Sequence, residues 1–235
     1  MMFRVLLSTT VRCLPLACLF SVAAHASIVI TGTRVVYPAD SKEVSVKVSN
    51  KGVSPVLIQS WMDNGDTKAK PDQIKVPFVL TPPINRVEPA SGQTLRIRAL
   101  PNNLPQDKES IFWLNVLEIP AKPRDAVKEK DNYLQVAFRS RIKFFYRPSG
   151  LKGSPKAAAT DLQWLNVAGR VHVINNSPYY ISLVDVMAGG KKADGKMLAP
   201  FAEDDYALAV SAGSKIKAEY VNDYGAVIPL DITIQ

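Results

Sequence analysis

Apolar residues in this chain recur at every second position, in short segments that end at turn-forming residues. The clearest case is Glu43–Asn50, where three valines alternate with polar residues before the turn-like Asn50-Lys51-Gly52. A period of two places the apolar side chains on one face of a β-strand. No segment has a sustained helical periodicity bounded by capping residues. The pattern therefore predicts an all-β fold built from short strands.

The predicted strands fall into two groups. The first contains Glu43–Asn50, Val56–Met62, the segment around Leu95 and Ile97, Ile111–Leu117 and Tyr133–Tyr146. The second contains Val171–Asn175, Tyr180–Met187, Lys215–Val221 and Val227–Ile234. The intervening Arg147-Pro148-Ser149-Gly150 is typical of a domain boundary. Two blocks of roughly 100 residues indicate two immunoglobulin-like β-sandwiches, residues 27–148 and 149–235, with a single large barrel as the alternative.

The first 26 residues have the pattern of a secretory signal peptide. Arg4 and Arg12 form a basic region, an apolar run covers Leu14–Ala23, and Ala24-His25-Ala26 is a small-x-small cleavage site. The apolar run is shorter than the roughly 20 residues that a membrane-spanning helix needs. We therefore expect cleavage before Ser27 and export to the periplasm of a Gram-negative bacterium, an uncleaved anchor being the alternative.

Composition excludes several classes of functional site from the exported part of the chain. Both cysteines, Cys13 and Cys18, lie in the signal segment, which removes thiolate chemistry and thiolate metal sites. His172 is the one remaining histidine; we interpret it as a structural residue on the more polar face of a strand, and we expect no metal and no cofactor. The formal net charge is +8, but the basic residues are interspersed with acids, which favours a solvated surface over a nucleic-acid interface.

Enzymatic motifs are also missing. The sequence has no G-x-S-x-G elbow, phosphate-binding loop or dinucleotide fingerprint. Glu203 and Asp204 are interpreted as loop charges. A hydrolase with a carboxylate-only site stays open as an alternative, but we expect a protein that is not an enzyme and has no small-molecule substrate.

One long segment resembles the signature of a known family. Residues 104–120 read Leu-Pro-Gln-Asp-Lys-Glu-Ser-Ile-Phe-Trp-Leu-Asn-Val-Leu-Glu-Ile-Pro, with the proline, charged, aromatic and asparagine positions of the periplasmic pilus (fimbrial) assembly chaperones of the chaperone/usher pathway, the PapD-like chaperones. Further segments agree in the family's order: Thr33–Val36, Thr81–Pro83, Ile142–Pro148, Ser177–Tyr180 and Asn222–Gly225.

The resemblance implies a function and a set of partners. PapD-like chaperones have two immunoglobulin-like domains in an L-shaped arrangement, with a cleft that binds pilus subunits, both pilins and adhesins. The chaperone lends a strand to the incomplete subunit by donor-strand complementation, which is a form of β-augmentation. It then delivers the subunit to an outer-membrane usher. A structural or adhesive immunoglobulin-like fimbrial component is the alternative, and a self-capping dimer is expected when no subunit is bound.

The resemblance also assigns residues. The donor strand is expected to present the alternating Asn132, Leu134, Val136 and Phe138. The subunit's C-terminal carboxylate is expected to bind Arg34 and Lys143. A structural salt-bridge network between the domains is expected from Glu109, Arg147 and Asp223.

Overall fold

The computed structural model describes residues 27–121 and 135–235. The strands of the N-terminal part are β1 (Ile28–Ile30), β2 (Arg34–Pro38), β3 (Val44–Asn50), β4 (Val56–Asp63), β5 (Phe78–Thr81), β6 (Ile84–Val87), β7 (Gly92–Ala99), β8 (Ser110–Pro120) and β9 (Phe138–Arg147). The C-terminal part contains helix α1 (Pro155–Thr160) and strands β10 (Gln163–Val167), β11 (Arg170–Ile174), β12 (Ile181–Ala188), β13 (Lys191–Asp194), β14 (Met197–Leu198), β15 (Glu203–Ala209), β16 (Lys215–Val221) and β17 (Val227–Thr233).

The strands confirm the predicted all-β fold, and most of the predicted segments form strands within a few residues of their predicted bounds. The segment predicted over Tyr133–Tyr146 is a strand only from Phe138 onward, and residues 133 and 134 lie outside the described ranges. The helix α1 was not predicted. Ser154 caps it by accepting a hydrogen bond from the Ala157 backbone N–H at 3.1 Å, and Pro155 occupies its first turn. Six residues are too few to produce a helical periodicity in the sequence.

The N-terminal part is a sandwich of two sheets, ordered β1-β3-β7-β5 and β2-β9-β8-β4-β6. The chain crosses from one sheet to the other between β1 and β2, where Gly32 has a φ of 93°. Glycine adopts this conformation without the steric cost that other residues carry. After the crossing, β2 runs parallel to β9, whereas β8 is antiparallel to β9.

Aromatic side chains fill much of the core of this sandwich. Tyr37 contacts Phe78, Phe144 and Tyr146 with ring centroids about 6 Å apart, and Phe112 packs edge-on against Phe78 at 4.9 Å. The Tyr37 hydroxyl donates to the Ser41 carbonyl at 2.9 Å and accepts from the Ala99 N–H at 3.1 Å. The buried hydroxyl of Tyr37 is therefore satisfied by hydrogen bonds.

The C-terminal part is a second sandwich with its own core. Its sheets are ordered β10-β11-β15 and β13-β12-β16-β17, with β14 added beside β12. All residues of its buried cluster come from positions 158–234, and all residues of the N-terminal cluster come from positions 28–146. Two separate cores correspond to two sandwiches rather than to one barrel, while the boundary after residue 148 stays a prediction.

His172 lies on β11, in the strand where it was predicted. Its Nδ1 is 2.8 Å from an Asp205 oxygen on β15, and Glu203 is close to its other nitrogen. Glu203 and Asp204 are not loop charges as predicted, because both belong to β15 and Asp204 pairs with Lys196. Within the described ranges, no helix combines the length and apolarity needed to cross a bilayer.

Candidate functional site

The strand register brings the two predicted anchor residues together. Arg34 on β2 lies directly opposite Lys143 on β9, and Lys143 is opposite Trp113 on β8. Both basic side chains extend toward the C-terminal sandwich and contact it. Two cations on neighbouring strands repel each other, so this arrangement costs free energy unless a negative charge approaches.

Each of the two cations is held by an uncharged oxygen of the C-terminal sandwich. Arg34 donates from Nη1 to the Val221 carbonyl at 2.9 Å, and its Nε is buried with no hydrogen-bond partner among the described residues. Lys143 donates from Nζ to the Ser182 hydroxyl at 2.9 Å. Burial, followed by the nearby charge of Arg34, lowers the pKa of Lys143 to about 8. Burial also lowers the pKa of Arg34, although a guanidinium stays charged at neutral pH.

Arg147 links the two sandwiches through the predicted salt-bridge network. Its Nε donates to Glu109 at 2.6 Å, and its two terminal nitrogens donate to the carboxylate of Asp223 at 2.8 and 3.0 Å. The Glu109 side chain is only 2% exposed. Burial raises the pKa of Glu109 even though Arg147 acts to lower it. Burial opposes the charge of Arg147 too, yet the two carboxylates raise its pKa well above its ordinary value.

Backbone contacts reinforce this connection. The Glu109 N–H donates to the Pro178 carbonyl at 2.9 Å, and the Tyr180 N–H donates to Glu109 Oε2 at 2.8 Å. Gly225 lies so close to Thr33 that a Cβ atom there would stand 2.5 Å from the threonine hydroxyl oxygen. Gly225 also has a φ of 84°, so two independent constraints favour glycine at this contact.

The two sandwiches enclose a cleft of about 430 Å³. Its walls are largely aromatic and aliphatic, and its charged lining includes Arg34, Arg147 and the two carboxylates that bind Arg147. Phe145 forms part of the floor, with the Arg34 guanidinium carbon 5.8 Å from its ring centroid and Tyr180 packed against it. A cleft of this kind suits a ligand with an apolar body and one negative charge.

The N-terminal half of β9 has an open edge in the described structure. Register pairs connect β2 only to Lys143–Arg147, whereas β8 pairs with Phe138–Tyr146. Two of the four predicted donor residues, Val136 and Phe138, are 47% and 39% exposed. The other two, Asn132 and Leu134, lie outside the described residues. The open edge and the exposed apolar side chains occur on the same stretch of chain.

The same alternation continues from the core into this exposed segment. Ile142, Phe144 and Tyr146 face the N-terminal core, and Phe138 stands on the same side of β9 by the period of two. The face of β9 that fills the chain's own core therefore continues to the partly exposed side chain of Phe138.

Two groups at the site were not identified from the sequence. Ser182 had no signal, because a serine on a strand is ordinary until the fold brings Lys143 to it. The second group surrounds Asp63, which accepts hydrogen bonds from Arg141 at 2.6 Å and from Asn115 at 2.6 Å. Arg141 also stacks over the ring of Trp113 at 4.0 Å. Asp63 thereby neutralises the cation on β9 that lies nearest in sequence to Lys143.

Among residues 27–121 and 135–235, no three His, Cys, Asp or Glu side chains are grouped so that they could hold a metal ion.

Two family models match nearly all of the described chain. One, described as "Pili and flagellar-assembly chaperone, PapD N-terminal domain", covers residues 27–152. The other, described as "Pili assembly chaperone PapD, C-terminal domain", covers residues 157–232.

Individual relatives agree with the family models. The chain is 46% identical over 221 residues to the chaperone protein FimB/FhaD of Bordetella pertussis, an alignment that covers 90% of each chain. The crystal structure of the Pseudomonas aeruginosa CupB2 chaperone is 39% identical, has a TM-score of 0.75, and aligns 88% of this chain with 100% of its own. A Salmonella enterica structure of the SafA pilin in complex with the SafB chaperone gives a TM-score of 0.76 at 27% identity, covering 88% of this chain and 96% of that one.

Proposed function

Because this chain belongs to the PapD-like family of pilus-assembly chaperones, we propose that it works in the periplasm by donor-strand complementation and passes its subunits to an outer-membrane usher. The substrate is a pilus subunit, a pilin or an adhesin, whose own sheet lacks a strand. The predicted signal peptide at residues 1–26 supports export, although it lies outside the described residues.

One observation carries this proposal: the N-terminal half of β9 has an open edge among the described residues, with the exposed Val136 just before the strand and the exposed Phe138 at its start. The strand leads to Lys143, which lies beside Arg34 of β2, and neither cation is hydrogen-bonded to a carboxylate of a described residue. An incoming subunit strand would pair with the backbone of β9, while Val136 and Phe138 fill the subunit's open core. Full burial of each side chain contributes roughly 1.5–3 kcal/mol before the cost of ordering the chain. Arg34 and Lys143 would bind the subunit's terminal carboxylate and so fix the register of the added strand.

The first experiment is a pull-down from the periplasm of cells that make the chain's own pilus. The tagged chain, its Arg34→Ala and Lys143→Ala variants, and a matched Arg98→Ala control on the far sheet would be compared, with bound proteins identified by mass spectrometry. We expect pilin-like subunits with wild type and with the control, and a loss of at least tenfold with the two cleft variants. All four proteins should have the same circular dichroism spectrum.

The outcomes separate the possible functions. Equal recovery by all four proteins would support the chaperone function. It would also show that the donor strand, rather than the anchor, provides the binding energy. Recovery of no subunit, together with the chain itself in purified surface fibres, would favour a structural or adhesive fimbrial component.

The same edge supports a self-capping dimer in the absence of subunit. Exposed strand edges pair readily with one another, and a second copy offers the nearest equivalent edge. Sedimentation equilibrium of the purified chain should then show dimers whose population falls when a subunit is added; a monomer at all concentrations would contradict this.

A further inference from the structure

Arg34 and Lys143 donate their hydrogen bonds to groups that carry no charge. Lys143 binds the Ser182 hydroxyl and Arg34 binds the Val221 carbonyl, both at 2.9 Å. The carboxylates that act on Arg34 are those of Glu109 and Asp223, and both are hydrogen-bonded to Arg147. A neutral acceptor orients an ammonium or guanidinium group without cancelling its charge, whereas a carboxylate would cancel it.

The charged side chains at this contact leave room for an anion. Arg34, Lys143 and Arg147 supply three positive charges and Glu109 and Asp223 supply two negative ones, while the exposed Lys156 of the cleft lining adds a further positive charge. A carboxylate bound beside Arg34 and Lys143 would reduce this excess. The excess depends on a neutral residue at the position that contacts Lys143.

Ser182 is suited to this contact by its position on β12. Its neighbours Ile181 and Leu183 belong to the C-terminal core, so the serine side chain faces the opposite way, toward the N-terminal sandwich. It is only 3% exposed because the interface with that sandwich covers it. Its hydroxyl is therefore held at a fixed distance from β9 for as long as the two sandwiches stay docked.

We propose that Ser182 is a positioning residue, which holds the Lys143 ammonium beside Arg34 for the subunit's terminal carboxylate while leaving its charge uncompensated. The proposal rests on the proposed function, since it takes a carboxylate as the ligand. Under this proposal the C-terminal sandwich contributes a side chain that orients the anchor, in addition to docking against the N-terminal sandwich.

Four variants of the full exported chain test the contact itself. Ser182→Ala removes the acceptor, Ser182→Thr keeps it, and Ser182→Asp replaces it with a charge. Ser60→Ala is the matched control, because Ser60 is also a buried strand serine but its hydroxyl has no hydrogen-bond partner in the described structure. The pKa of Lys143 would be followed by the NMR shift of its ¹³Cε, assigned with Lys143→Arg.

The expected shifts in the pKa of Lys143, relative to wild type, differ in sign among the variants. Ser182→Ala should lower the pKa of Lys143 below that of wild type, because the charged form loses a hydrogen bond. Ser182→Asp should raise it, and Ser182→Thr and Ser60→Ala should leave it unchanged. The same pKa in wild type, Ser182→Ala and Ser182→Asp would overturn the proposed contact without requiring any subunit.

A second readout tests the positioning for a carboxylate. Sodium acetate would be titrated at pH 7 while the Lys143 signal is recorded, with acetamide as the uncharged control. We expect saturable binding to wild type, Ser182→Thr and Ser60→Ala, at least threefold weaker binding to Ser182→Ala, and none to Ser182→Asp.

The failures of the two proposals are distinguishable. If wild type and Ser182→Ala bind acetate equally, the role of Ser182 is wrong and the carboxylate anchor stands. If wild type shows no saturable response to acetate, the anchor and the role of Ser182 both fail.

Discussion

Lys143 lies in surroundings that disfavour its protonated, charged form. Burial against β12 and the adjacent guanidinium of Arg34 lower its pKa to about 8, whereas only the charged form attracts a carboxylate. A bound carboxylate would stabilise the ammonium and raise its pKa again. Binding and protonation at this residue are therefore coupled.

We expect subunit binding to weaken as the pH rises through about 8. Below this pH, Lys143 is already charged in the free chain and binding takes up no proton. Above it, binding must first protonate the lysine, so the affinity falls by up to about tenfold per pH unit until the pKa of the complex is reached. The dissociation constant of the recovered subunit, measured between pH 6.5 and 9.5, checks this.

Lys143→Arg is the matched control for the pH dependence. Arginine keeps its charge throughout this range, so its binding curve should be flat. Parallel curves for the two proteins would assign the pH dependence to another group.

Asp63 differs from Ser182 in that it neutralises the cation it contacts. That cation is Arg141, which is not one of the two residues proposed to bind the subunit's carboxylate. The Asp63 side chain is 2% exposed, and Arg141 lies between it and the ring of Trp113. Burial alone would raise the pKa of Asp63, but hydrogen bonds from Arg141, Asn115 and the Gly65 backbone lower it below the ordinary value. Asp63 therefore stabilises the fold above the ordinary carboxyl pKa, and this stabilisation is lost as the pH falls through the lowered pKa.

Asp63→Asn should lower the free energy of unfolding at pH 7 by roughly 1.5–3 kcal/mol, the usual contribution of hydrogen bonds to a charged group. Urea unfolding at pH 7 and at pH 3 measures the effect, which should shrink at the lower pH. The control is Glu88→Gln, which breaks an exposed pair with Arg86 and should change stability by less than about 1 kcal/mol. Equal losses for the two variants would show that the buried position of Asp63 is irrelevant.

At the scale of elements, β9 has different neighbours along its length. Its C-terminal half pairs with β2 and β8 and fills the N-terminal core, whereas among the described residues its N-terminal half pairs with β8 alone. Because the period of two runs through both halves, the side chains that begin the strand can fill a second core. The structure thus separates the residues that stabilise this chain from those available to a partner.

Val136→Asp and Phe138→Asp should abolish subunit recovery by the tagged chain and leave its melting temperature unchanged. Both side chains are exposed in the free chain, so a charge there costs little until a subunit core has to bury it. Val53→Asp is the matched control, since Val53 is 96% exposed and lies on the loop before β4 rather than on the proposed donor segment. Loss of recovery with Val53→Asp as well would indicate a general effect of added charge.

The elements were more predictable from the sequence than the contacts between them. Strand periodicity is local, which explains why β3, β4, β12, β16 and β17 were confirmed within a few residues. The pairing of Arg34 with Lys143 depends on the register of two strands more than 100 residues apart, and only the family resemblance could suggest it. Ser182 and Asp63 were missed because their partners are fixed by tertiary packing, and α1 because it is too short to show a period.

At the scale of the whole molecule, the proposed anchor requires the two sandwiches to be docked. Val221 and Ser182 of one sandwich hold Arg34 and Lys143 of the other. The docking itself depends on Arg147 and on the contact of Gly225 with Thr33. A change at the salt-bridge network should therefore affect both stability and the geometry of the cleft.

Arg147→Ala should lower the free energy of unfolding by roughly 3–5 kcal/mol, because it leaves the buried Glu109 carboxylate without a compensating charge. Adding Glu109→Gln should recover part of this loss, since the glutamine side chain can be buried neutral. Arg86→Ala, which removes an arginine from an exposed pair, is the matched control and should be nearly neutral. Calorimetry of the four proteins would measure these differences, and the NMR signal of Lys143 would report whether the cleft changes with them. If Arg147→Ala is no less stable than Arg86→Ala, the network does not hold the sandwiches together, and the geometry of the anchor must depend on the backbone contacts of Glu109 and Gly225 instead.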